Sequence, residues 1–457
     1  MIKKNTKIHF VGIGGIGMCG IAEILLNLGY KISGSDIKET SITHRLEQKG
    51  IKIYYSHKAE NIKDVDVVVF SSAIFSDNDE IIAAKNRKIT VIPRAEMLAE
   101  LMRAKYSIAI SGSHGKTTTT SMISLMFSTA GLDPTMIIGG KLNSIGGVSA
   151  KLGKGEFLIA EADESDGSFL HLHPTIALVT NIDKEHLPYY KNLYNIKTAF
   201  VEFINHIPFY GTAILCLDDT NIQSILHLIV KKYITYGIYT SADIIAKDIK
   251  SKNYGSAYKA FYKNKLLGEI KLNVPGKHNI LNSLGSIIVG LELGLEFKTI
   301  KQGLEEFTGV ERRFQIKKQS KNIVIVDDYA HHPKEIEATL KATKENWDKQ
   351  IVCIFQPHRY TRTNDMLEEF TKVFHNADVL IITEIYSAGE FPIEGINGEF
   401  LANIIKKYGH KNVIFIKEKK DIVDFVINNF AKDALIITMG AGDVYKIGDE
   451  IIKEITF

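Results

Sequence analysis

The amino-acid sequence predicts an α/β protein of three domains, each built around a mostly parallel sheet. Along almost all of the 457 residues, apolar runs of strand length alternate with amphipathic segments of helix length. Two glycine clusters each lie between a strand and a helix. Shorter alternating segments between Asp243 and Val274 indicate antiparallel hairpins. The length also agrees with a prior of about 150 residues per domain.

The strand pattern places the three predicted domains at residues 1–104, 105–313 and 314–457. In the first, strands are predicted near Lys7–Val11, Lys31–Ser35 and Val65–Ser71. In the second, they are predicted at Tyr106–Ser111, Phe157–Ala160 and Ile176–Thr180, followed by the hairpins. In the third, they are predicted at Asn322–Val326, Gln350–Phe355, Val379–Thr383, Val413–Ile416 and Ala434–Met439.

Composition disfavours several classes of function. The chain has 56 Lys and Arg against 53 Asp and Glu, and no basic cluster with interleaved aromatics, so no nucleic-acid partner is expected. Three distant cysteines disfavour a disulfide framework or a zinc site and fit a reducing, cytoplasmic location. Because glycines interrupt the apolar run near the N-terminus and no run approaches about 18 apolar residues, we expect a first strand there and no membrane insertion.

The first glycine cluster is Gly12-x-Gly14-x-x-Gly17, between a predicted strand and helix. Such glycines let the backbone approach a pyrophosphate at a helix N-terminus. Asp36 ends the next predicted strand, where a carboxylate can accept ribose hydroxyls. The pattern predicts a Rossmann-like nucleotide-binding domain, and by itself it leaves an NAD-dependent oxidoreductase open.

The second cluster, Ser111-Gly-Ser-His-Gly-Lys-Thr-Thr118, predicts a phosphate loop. A strand ends in a glycine turn, and a helix is expected from about Thr117 to near Gly131. Backbone amides would surround phosphates, Lys116 would neutralise the β and γ oxygens, and Thr117 would hold Mg²⁺. The spacing departs from the usual motif, since Ile110 stands where the first glycine is expected. The central domain is therefore predicted to be P-loop ATPase-like.

Polar residues follow two further strands of the central domain. The segment after Phe157–Ala160 supplies four carboxylates, Glu161, Asp163, Glu164 and Asp166. The segment after Ile176–Thr180 supplies Asn181, Asp183, Glu185 and His186. Since ligands of open α/β sheets bind at the carboxyl ends of strands, we expect a metal to be bound there beside the phosphate loop.

The third domain carries two polar strand ends, Asp327-Asp-Tyr-Ala-His-His-Pro333 and Gln356-Pro-His-Arg-Tyr-Thr-Arg362. A helix is expected to begin at Pro333. Arginines at positions i and i+3 suit a carboxylate or phosphate, because guanidinium groups bind such oxygens in bidentate fashion. The alternatives are a solvated loop, an interdomain salt bridge, or a zinc hydrolase site that lacks a third ligand at helical spacing. The third domain is predicted to be Rossmann-like.

Taken together, these motifs resemble those of the Mur ligase family. The matching stretches follow the family's order from residue 10 to residue 443: FVGIGGIGM, SGSHGKTTTT, EADESDGSFLHLHP, NIDKEH, PGKHNILNS, GVERRFQ, DDYAHHP, QPHRYTRT and GAGD. One departure is Pro188, which stands after NIDKEHL where many relatives carry an acidic residue.

The resemblance implies ATP-dependent ligation of L-alanine to the lactyl carboxylate of UDP-N-acetylmuramate through an acyl phosphate. The substrates would be small molecules, with the protein a monomer or homodimer. Two alternatives remain open here, reattachment of a recycled murein tripeptide by the nearest related ligase and an NAD-dependent oxidoreductase. A third, a regulatory nucleotide-binding module, leaves the acidic and histidine strand ends without a role.

The resemblance also assigns residues. The UDP-sugar would lie near Gly14, Gly15, Ile16, Gly17 and Asp36. ATP would contact Gly112, Ser113, His114, Gly115, Lys116, Thr117 and Thr118, together with His278, Asn279, Asn282, Arg313 and Asp328. One Mg²⁺ would be held by Thr117 and Glu161, and a second by His186. The catalytic group would be Lys116, His186, His331, Arg359 and Arg362, of which His331 and the two arginines would orient alanine and the phosphorylated intermediate.

Overall fold

The computed structural model describes residues 5–71, 73–142, 148–252, 254–430 and 433–455. Within these residues the strands form three sheets, which confirms the predicted three-domain α/β class. Contacts divide the chain into two compact units. The first comprises Met1–Lys247, Lys259–Ile270 and Leu281–Phe307, and the second comprises Asp248–Tyr258, Lys271–Ile280 and Thr308–Phe457. The predicted domain boundaries, after residues 104 and 313, stay a prediction.

The N-terminal sheet has the order β3-β2-β1-β4-β5 in the described residues, with parallel pairing throughout. Its strands are β1 (Lys7–Val11), β2 (Lys31–Ser35), β3 (Lys52–Tyr54), β4 (Val67–Phe70) and β5 (Thr90–Pro93). Its helices are α1 (Ile16–Asn27), α2 (Ser41–Gln48), α3 (Asp79–Asn86) and α4 (Arg94–Arg103). The strand order reverses between β1 and β4, and ligands of such sheets bind at the crevice there.

The central sheet is the largest of the three. Its strands are β6 (Tyr106–Ser111), β7 (Thr135–Leu142), β8 (Val148–Lys151), β9 (Phe157–Glu161), β10 (Ile176–Val179), β11 (Thr212–Cys216), β12 (Tyr233–Gly237), β13 (Ile244–Lys252), β14 (Gly255–Tyr262) and β15 (Lys265–Leu272). The accompanying helices are α5 (Lys116–Thr129), α6 (Leu187–Tyr190), α7 (Leu193–Asn205), α8 (Thr220–Ile225), α9 (Lys277–Glu292) and α10 (Phe297–Glu305).

In this sheet, β6 pairs in parallel with β9 on one side and with β10 on the other. The carboxyl ends of these three strands therefore meet at one edge, which brings the phosphate loop and both polar strand ends together. Strands β13 to β15 occupy the region predicted to form hairpins. The helix predicted from about Thr117 begins at Lys116, one residue earlier.

The C-terminal sheet has the order β16-β17-β21-β18-β19-β20 in the described residues. Its strands are β16 (Gln315–Gln319), β17 (Ile323–Asp328), β18 (Gln350–Phe355), β19 (Val379–Ile382), β20 (Val413–Phe415) and β21 (Ala434–Met439). Its helices are α11 (Pro333–Asn346), α12 (Tyr360–Asp365), α13 (Leu367–Phe370), α14 (Gly398–Lys407), α15 (Lys419–Phe430) and α16 (Tyr445–Glu454). Only β16 runs antiparallel to its neighbour among these described pairs.

Both faces of this C-terminal sheet are buried. Leu435, Ile437 and Met439 of β21 pack into one apolar cluster, whereas Ala434 and Ile436 pack into the other. A strand buried on both faces is apolar at nearly every position, which explains the near-continuous apolar run that the sequence shows. Across the described residues, no helix combines the length and apolarity needed to cross a membrane.

Candidate active site

The first glycine loop lies between β1 and α1, beside Asp36 at the end of β2. The backbone N–H of Gly14 donates to Oδ2 of Asp36 over 2.9 Å. A Cβ on Gly14 would lie 2.8 Å from that oxygen, so only glycine permits the approach. Gly15 is the N-cap of α1, which begins at Ile16, and a Cβ on Gly17 would lie 2.8 Å from Nη1 of Arg94. The structure thus brings the predicted Gly14 and Asp36 together and places Gly17 beside Arg94.

The phosphate loop lies between β6 and α5, and the end of β10 holds its main chain. The Ser113 and His114 N–H groups donate to the backbone and side-chain oxygens of Asn181, over 3.2 and 2.9 Å. The His114 carbonyl accepts from Thr180 Oγ1 and from Asn181 Nδ2. Asp183 N donates to Ser113 Oγ over 2.8 Å. The loop is therefore fixed by the neighbouring strand.

The first turn of α5 begins at Lys116 and continues with Thr117 and Thr118. Gly115 precedes it as N-cap with φ 85°. A Cβ on Gly115 would lie 2.6 Å from Oδ1 of Asn282, so Asn282 of α9 lies directly against the loop. Gly112 is equally constrained, with φ 130° and its Cβ position 2.2 Å from Oγ1 of Thr180. Both positions require glycine.

Lys116 is held by oxygen acceptors on two sides. Its Nζ donates to the Gly112 carbonyl over 2.6 Å and to Oε1 of the buried Glu164 over 2.9 Å. Burial alone would lower the pKa of Lys116, but the charges of Glu164 and Asp163 raise it above its ordinary value. Burial would likewise raise the pKa of Glu164, and Lys116 holds it below its ordinary value. Both groups are therefore charged.

Glu164 also forms part of a cluster of potential metal ligands. Ligand atoms of Glu164, Glu185 and His186 lie within 4.8 Å of one another. His186 Nε2 lies 3.6 Å from Glu164 Oε1 and 3.7 Å from Glu185 Oε2. Within the described residues, Oε2 of Glu164 is buried without a hydrogen-bond partner. The predicted ligand Glu161 instead accepts from Gly139 N over 2.7 Å.

Two features connect this cluster with the rest of the first unit. The hydroxyl of Tyr190, the last residue of α6, donates to the Glu164 carbonyl. Pro188 lies in the first turn of the same helix, where a missing N–H is tolerated. Arg94, which lies beside Gly17, is 3.6 Å from Oδ2 of Asp163. Arg94 also lines a cleft of about 200 Å³ with Asp166 and other residues. The first glycine loop and the acidic strand end are therefore neighbours.

The second unit carries a histidine and arginine cluster at the ends of β17 and β18. The rings of His331 and His358 are 5.7 Å apart, and Arg362 Nη1 lies 3.2 Å from Nδ1 of His358. Burial lowers the pKa of His331 to about 3 and that of His358 to about 4. Both imidazoles are therefore neutral near pH 7, beside two cationic guanidinium groups, of which that of Arg359 is half-exposed.

The remaining predicted residues of the second unit are largely buried. Burial raises the pKa of Asp328 to about 6, and its oxygens accept from the N–H groups of Phe314 and Ala330. Arg313 lies 3.5 Å from Glu335 and over the ring of Tyr329. At the start of α9, burial lowers the pKa of His278 to about 4 and Asn279 donates to the Pro275 carbonyl.

Three family models together match most of the chain. The model of the Mur ligase family, catalytic domain, matches residues 7–106, the Mur ligase middle domain matches residues 110–290, and the Mur ligase glutamate ligase domain matches residues 312–442. A UDP-N-acetylmuramate–L-alanine ligase of Geotalea uraniireducens is 54% identical over 455 residues, covering 100% of this chain and 99% of the relative. The chain belongs to the Mur ligase family.

Solved structures agree with this assignment. The Mur ligase chain is similar to UDP-N-acetylmuramate–alanine ligase MurC of Thermotoga maritima, with a TM-score of 0.83, 30% identity and coverage of 98% of this chain and 99% of the other. A murein peptide ligase of Psychrobacter arcticus shares 22% identity at a TM-score of 0.70, with 98% of each chain covered. At that identity, the second likeness shows the fold alone.

Sequence reasoning named Asn181 and Glu164 only among possible metal ligands, and it missed the roles that they, Thr180 and Arg312 have in building the site. Asn181 and Thr180 fix the phosphate loop, and Glu164 is the carboxylate that contacts Lys116. Arg312, next to the predicted Arg313, donates to Asp327 over 3.0 Å and to the Gly440 carbonyl over 2.7 Å. No signal in the sequence separates Glu164 from its three neighbouring carboxylates, or Arg312 from Arg313.

Proposed function

We propose that this Mur ligase joins L-alanine to the lactyl carboxylate of UDP-N-acetylmuramate, with ATP converted to ADP and phosphate. The observation that carries the proposal is Lys116, which stands at a glycine turn beside a carboxylate and imidazole cluster. An NAD-dependent oxidoreductase has no use for that arrangement. The product is a precursor of peptidoglycan, and the use of ATP leads us to expect a cytoplasmic reaction.

The first chemical step activates the acid. A carboxylate is a poor electrophile, so its oxygen attacks the γ-phosphorus of ATP, the bond to the ADP oxygen breaks, and an acyl phosphate forms. Lys116 and the N–H groups at the start of α5 would stabilise charge on the transferring phosphoryl group. The first glycine loop, with Asp36, would bind the nucleotide of the UDP-sugar.

The second step forms the amide. The amine of alanine attacks the acyl carbon, and phosphate leaves with the bonding electrons. Arg359 and Arg362 would bind the alanine carboxylate or the acyl phosphate, since guanidinium groups match such oxygens. The neutral His331 lies beside them and would accept hydrogen bonds from the substrate. From the family resemblance we also assign His278, Asn279, Arg313 and Asp328 to nucleotide binding, and Asn282 would contact the phosphates from beside Gly115.

The ligand cluster fits a divalent cation. Glu164, Glu185 and His186 supply oxygen and imidazole donors, and one buried oxygen of Glu164 lacks a partner among the described residues. We propose that these three residues hold one Mg²⁺ and that Thr117 and Glu161 hold another. Bound Mg²⁺ would neutralise negative charge on the phosphate oxygens.

The tripeptide-attaching ligase is the nearest competing function. The Geotalea relative, which is far more similar to this chain than the murein peptide ligase of P. arcticus, carries the name of the alanine enzyme. This difference favours alanine as the amino-acid substrate.

Phosphate release from ATP tests the proposal. The protein is incubated with ATP, Mg²⁺ and UDP-N-acetylmuramate, and either L-alanine or the tripeptide L-alanyl-γ-D-glutamyl-meso-diaminopimelate is added. We expect release that depends on both alanine and the UDP-sugar. Phosphate release that requires the tripeptide, and does not occur with alanine, would establish the competing ligase. In a parallel assay with NADH added, oxidation of NADH without phosphate release would establish an oxidoreductase.

A further inference from the structure

Arg359 has a backbone conformation that is unfavourable for a residue with a side chain. Its φ of 72° and ψ of 138° lie outside the regions that such residues ordinarily occupy. The conformation is held by a hydrogen bond from Arg359 N to the Tyr386 carbonyl over 2.9 Å. Strain of this kind concentrates at functional sites, where surrounding contacts impose it.

The segment after β19 supplies those contacts. The ring of Tyr386 stacks on His358 with centroids 5.6 Å apart and planes 9° from parallel. A tight turn follows, in which Ala388 and Gly389 both have positive φ and Glu390 N donates to the Ser387 carbonyl over 3.0 Å. This turn brings Glu390 back to the start of α12.

Glu390 is fixed there by two hydrogen bonds from one residue. Thr361 donates its N–H to Oε2 over 3.1 Å and its hydroxyl to Oε1 over 2.7 Å. Oε1 also lies 3.9 Å from Nε of Arg359. An exposed ion pair usually contributes little free energy, partly because two long side chains must be ordered to form it. Here the carboxylate is already ordered by Thr361, which removes part of that cost.

The position of the contact leaves the guanidinium able to bind a ligand. Glu390 lies nearest to Nε, and within the described residues the two terminal nitrogens of the half-exposed Arg359 have no hydrogen-bond partner. A guanidinium group binds a carboxylate in bidentate fashion through such paired donors. A fixed orientation before binding reduces the ordering cost that the substrate must overcome.

We propose that Glu390 is a positioning residue that orients Arg359 for the carboxylate of the incoming amino acid. Its charge thereby determines the affinity of the site for that substrate. The inference rests on the proposed function, in which Arg359 binds alanine. Nothing in the sequence motifs singles out Glu390, because it lies 31 residues after Arg359 in a loop.

Glu390→Gln is the central variant, because it keeps the shape and an acceptor for Thr361 while removing the charge. We expect the KM for alanine to rise about fivefold, the upper range for loss of one partly exposed ion pair. The kcat and the KM values for ATP and the UDP-sugar should stay within about twofold. Glu390→Asp should restore part of the affinity, and Glu394→Gln, an exposed acid in the same loop, serves as the matched control.

Two further variants separate positioning from a purely structural role. In a double-mutant cycle, Glu390→Gln should add nothing to the defect of Arg359→Ala. Thr361→Val removes only the hydroxyl contact. It should lower the Tm, and it should raise the KM for alanine less than Glu390→Gln does.

Three outcomes would overturn the inference. One is additive defects in the cycle, and another is a rise in all three KM values with Glu390→Gln. The third is a Glu390→Gln variant that behaves like Glu394→Gln while Arg359→Ala impairs the use of alanine, which would leave the proposed function intact. Normal alanine kinetics in Arg359→Ala would instead remove Arg359 from the proposed function, and this inference with it.

Discussion

At two places in the first unit a strand ends in glycines and a helix begins, yet the side chains around the two turns differ in charge. At the first turn, the carboxylate of Asp36 accepts the N–H of Gly14. At the second, the ammonium group of Lys116 lies against the turn and pairs with Glu164. The backbone plan is shared, whereas the charged side chain that hydrogen-bonds to the main chain of the turn is acidic at the first and basic at the second.

The difference teaches that glycine spacing alone predicts a turn and not a ligand. A carboxylate beside the first turn suits the hydroxyl groups of a ribose. A lysine and a cluster of cation ligands at the second suit a triphosphate with its metal. The first fingerprint is typical of dinucleotide-binding proteins, but this chain belongs to the Mur ligases. Charges in the neighbouring strands decide which ligand a glycine turn can take.

The largest expected effect comes from removing the lysine that distinguishes the second turn. Lys116→Ala should lower kcat by about 10³-fold, since a charge that stabilises the transition state is lost. Circular dichroism should show that the fold is kept. Lys298→Ala, an exposed lysine on α10, is the matched control. Near-normal turnover of Lys116→Ala would mean that the two turns do not differ as described.

A smaller effect is expected from Gly115→Ala, which tests the shape of the second turn. The new Cβ would meet Asn282 and force a residue with a side chain to φ 85°. We expect turnover to fall by about 10²-fold, as for a misplaced catalytic group. Gly131→Ala is the matched control, because Gly131 at the other end of α5 has a similar φ of 74° but open space around its Cβ position. It should lose about 1 kcal/mol of stability but keep its activity. Equal activity of the two variants would contradict the steric argument.

The first turn is tested by Asp36→Ala. Loss of the carboxylate should raise the KM for UDP-N-acetylmuramate about 10-fold, which matches one hydrogen bond to a charged group. The KM for ATP should not change, because the second turn is untouched. Glu39→Ala, an exposed acid three residues on, controls for charge. A selective rise in the KM for ATP would show that the two turns have been assigned the wrong way round.

The smallest effect concerns acid stability at the second turn. Burial would raise the pKa of Glu164, but Lys116 holds it below its ordinary value of 4.5, so the folded protein favours the charged form. Glu164 therefore contributes stability above about pH 4.5, and this is lost as pH falls through the folded pKa. Glu164→Gln should show a shallower fall in the free energy of unfolding on acidification, by up to about 1.4 kcal/mol per pH unit.

Urea unfolding at several pH values measures this slope. Glu156→Gln, an exposed acid before β9, should behave like the unmodified protein. A Glu164→Gln variant with an unchanged acid slope would contradict the ion pair with Lys116.

Local signals were enough to predict much of the fold. The glycines before Lys116 and the proline at residue 333 both mark helix starts, and α5 and α11 begin there. The apolar runs that became β17, β18 and β21 are buried on both faces, which is why they stand out in the sequence. In each case the physical cause lies within a few residues.

Other features depend on contacts that no local pattern encodes. Glu161 is the last residue of β9, where it accepts from Gly139, whereas the chain turns before Glu164 and directs that side chain to Lys116. The role of Asn181 depends on β10 lying beside β6, and strand order is a tertiary property. The sequence therefore predicts the edge of the sheet that carries the site more readily than the side chains that face it.

The hold of Asn181 and Thr180 on the phosphate loop affects the thermodynamics of nucleotide binding. A main chain that is already ordered gives up little conformational entropy when a ligand arrives. Nucleotide association at this turn should accordingly proceed in a single kinetic phase, and calorimetry should show a small entropic penalty. Loosening the hold, as in Asn181→Ala, would transfer the cost of ordering the loop to the nucleotide.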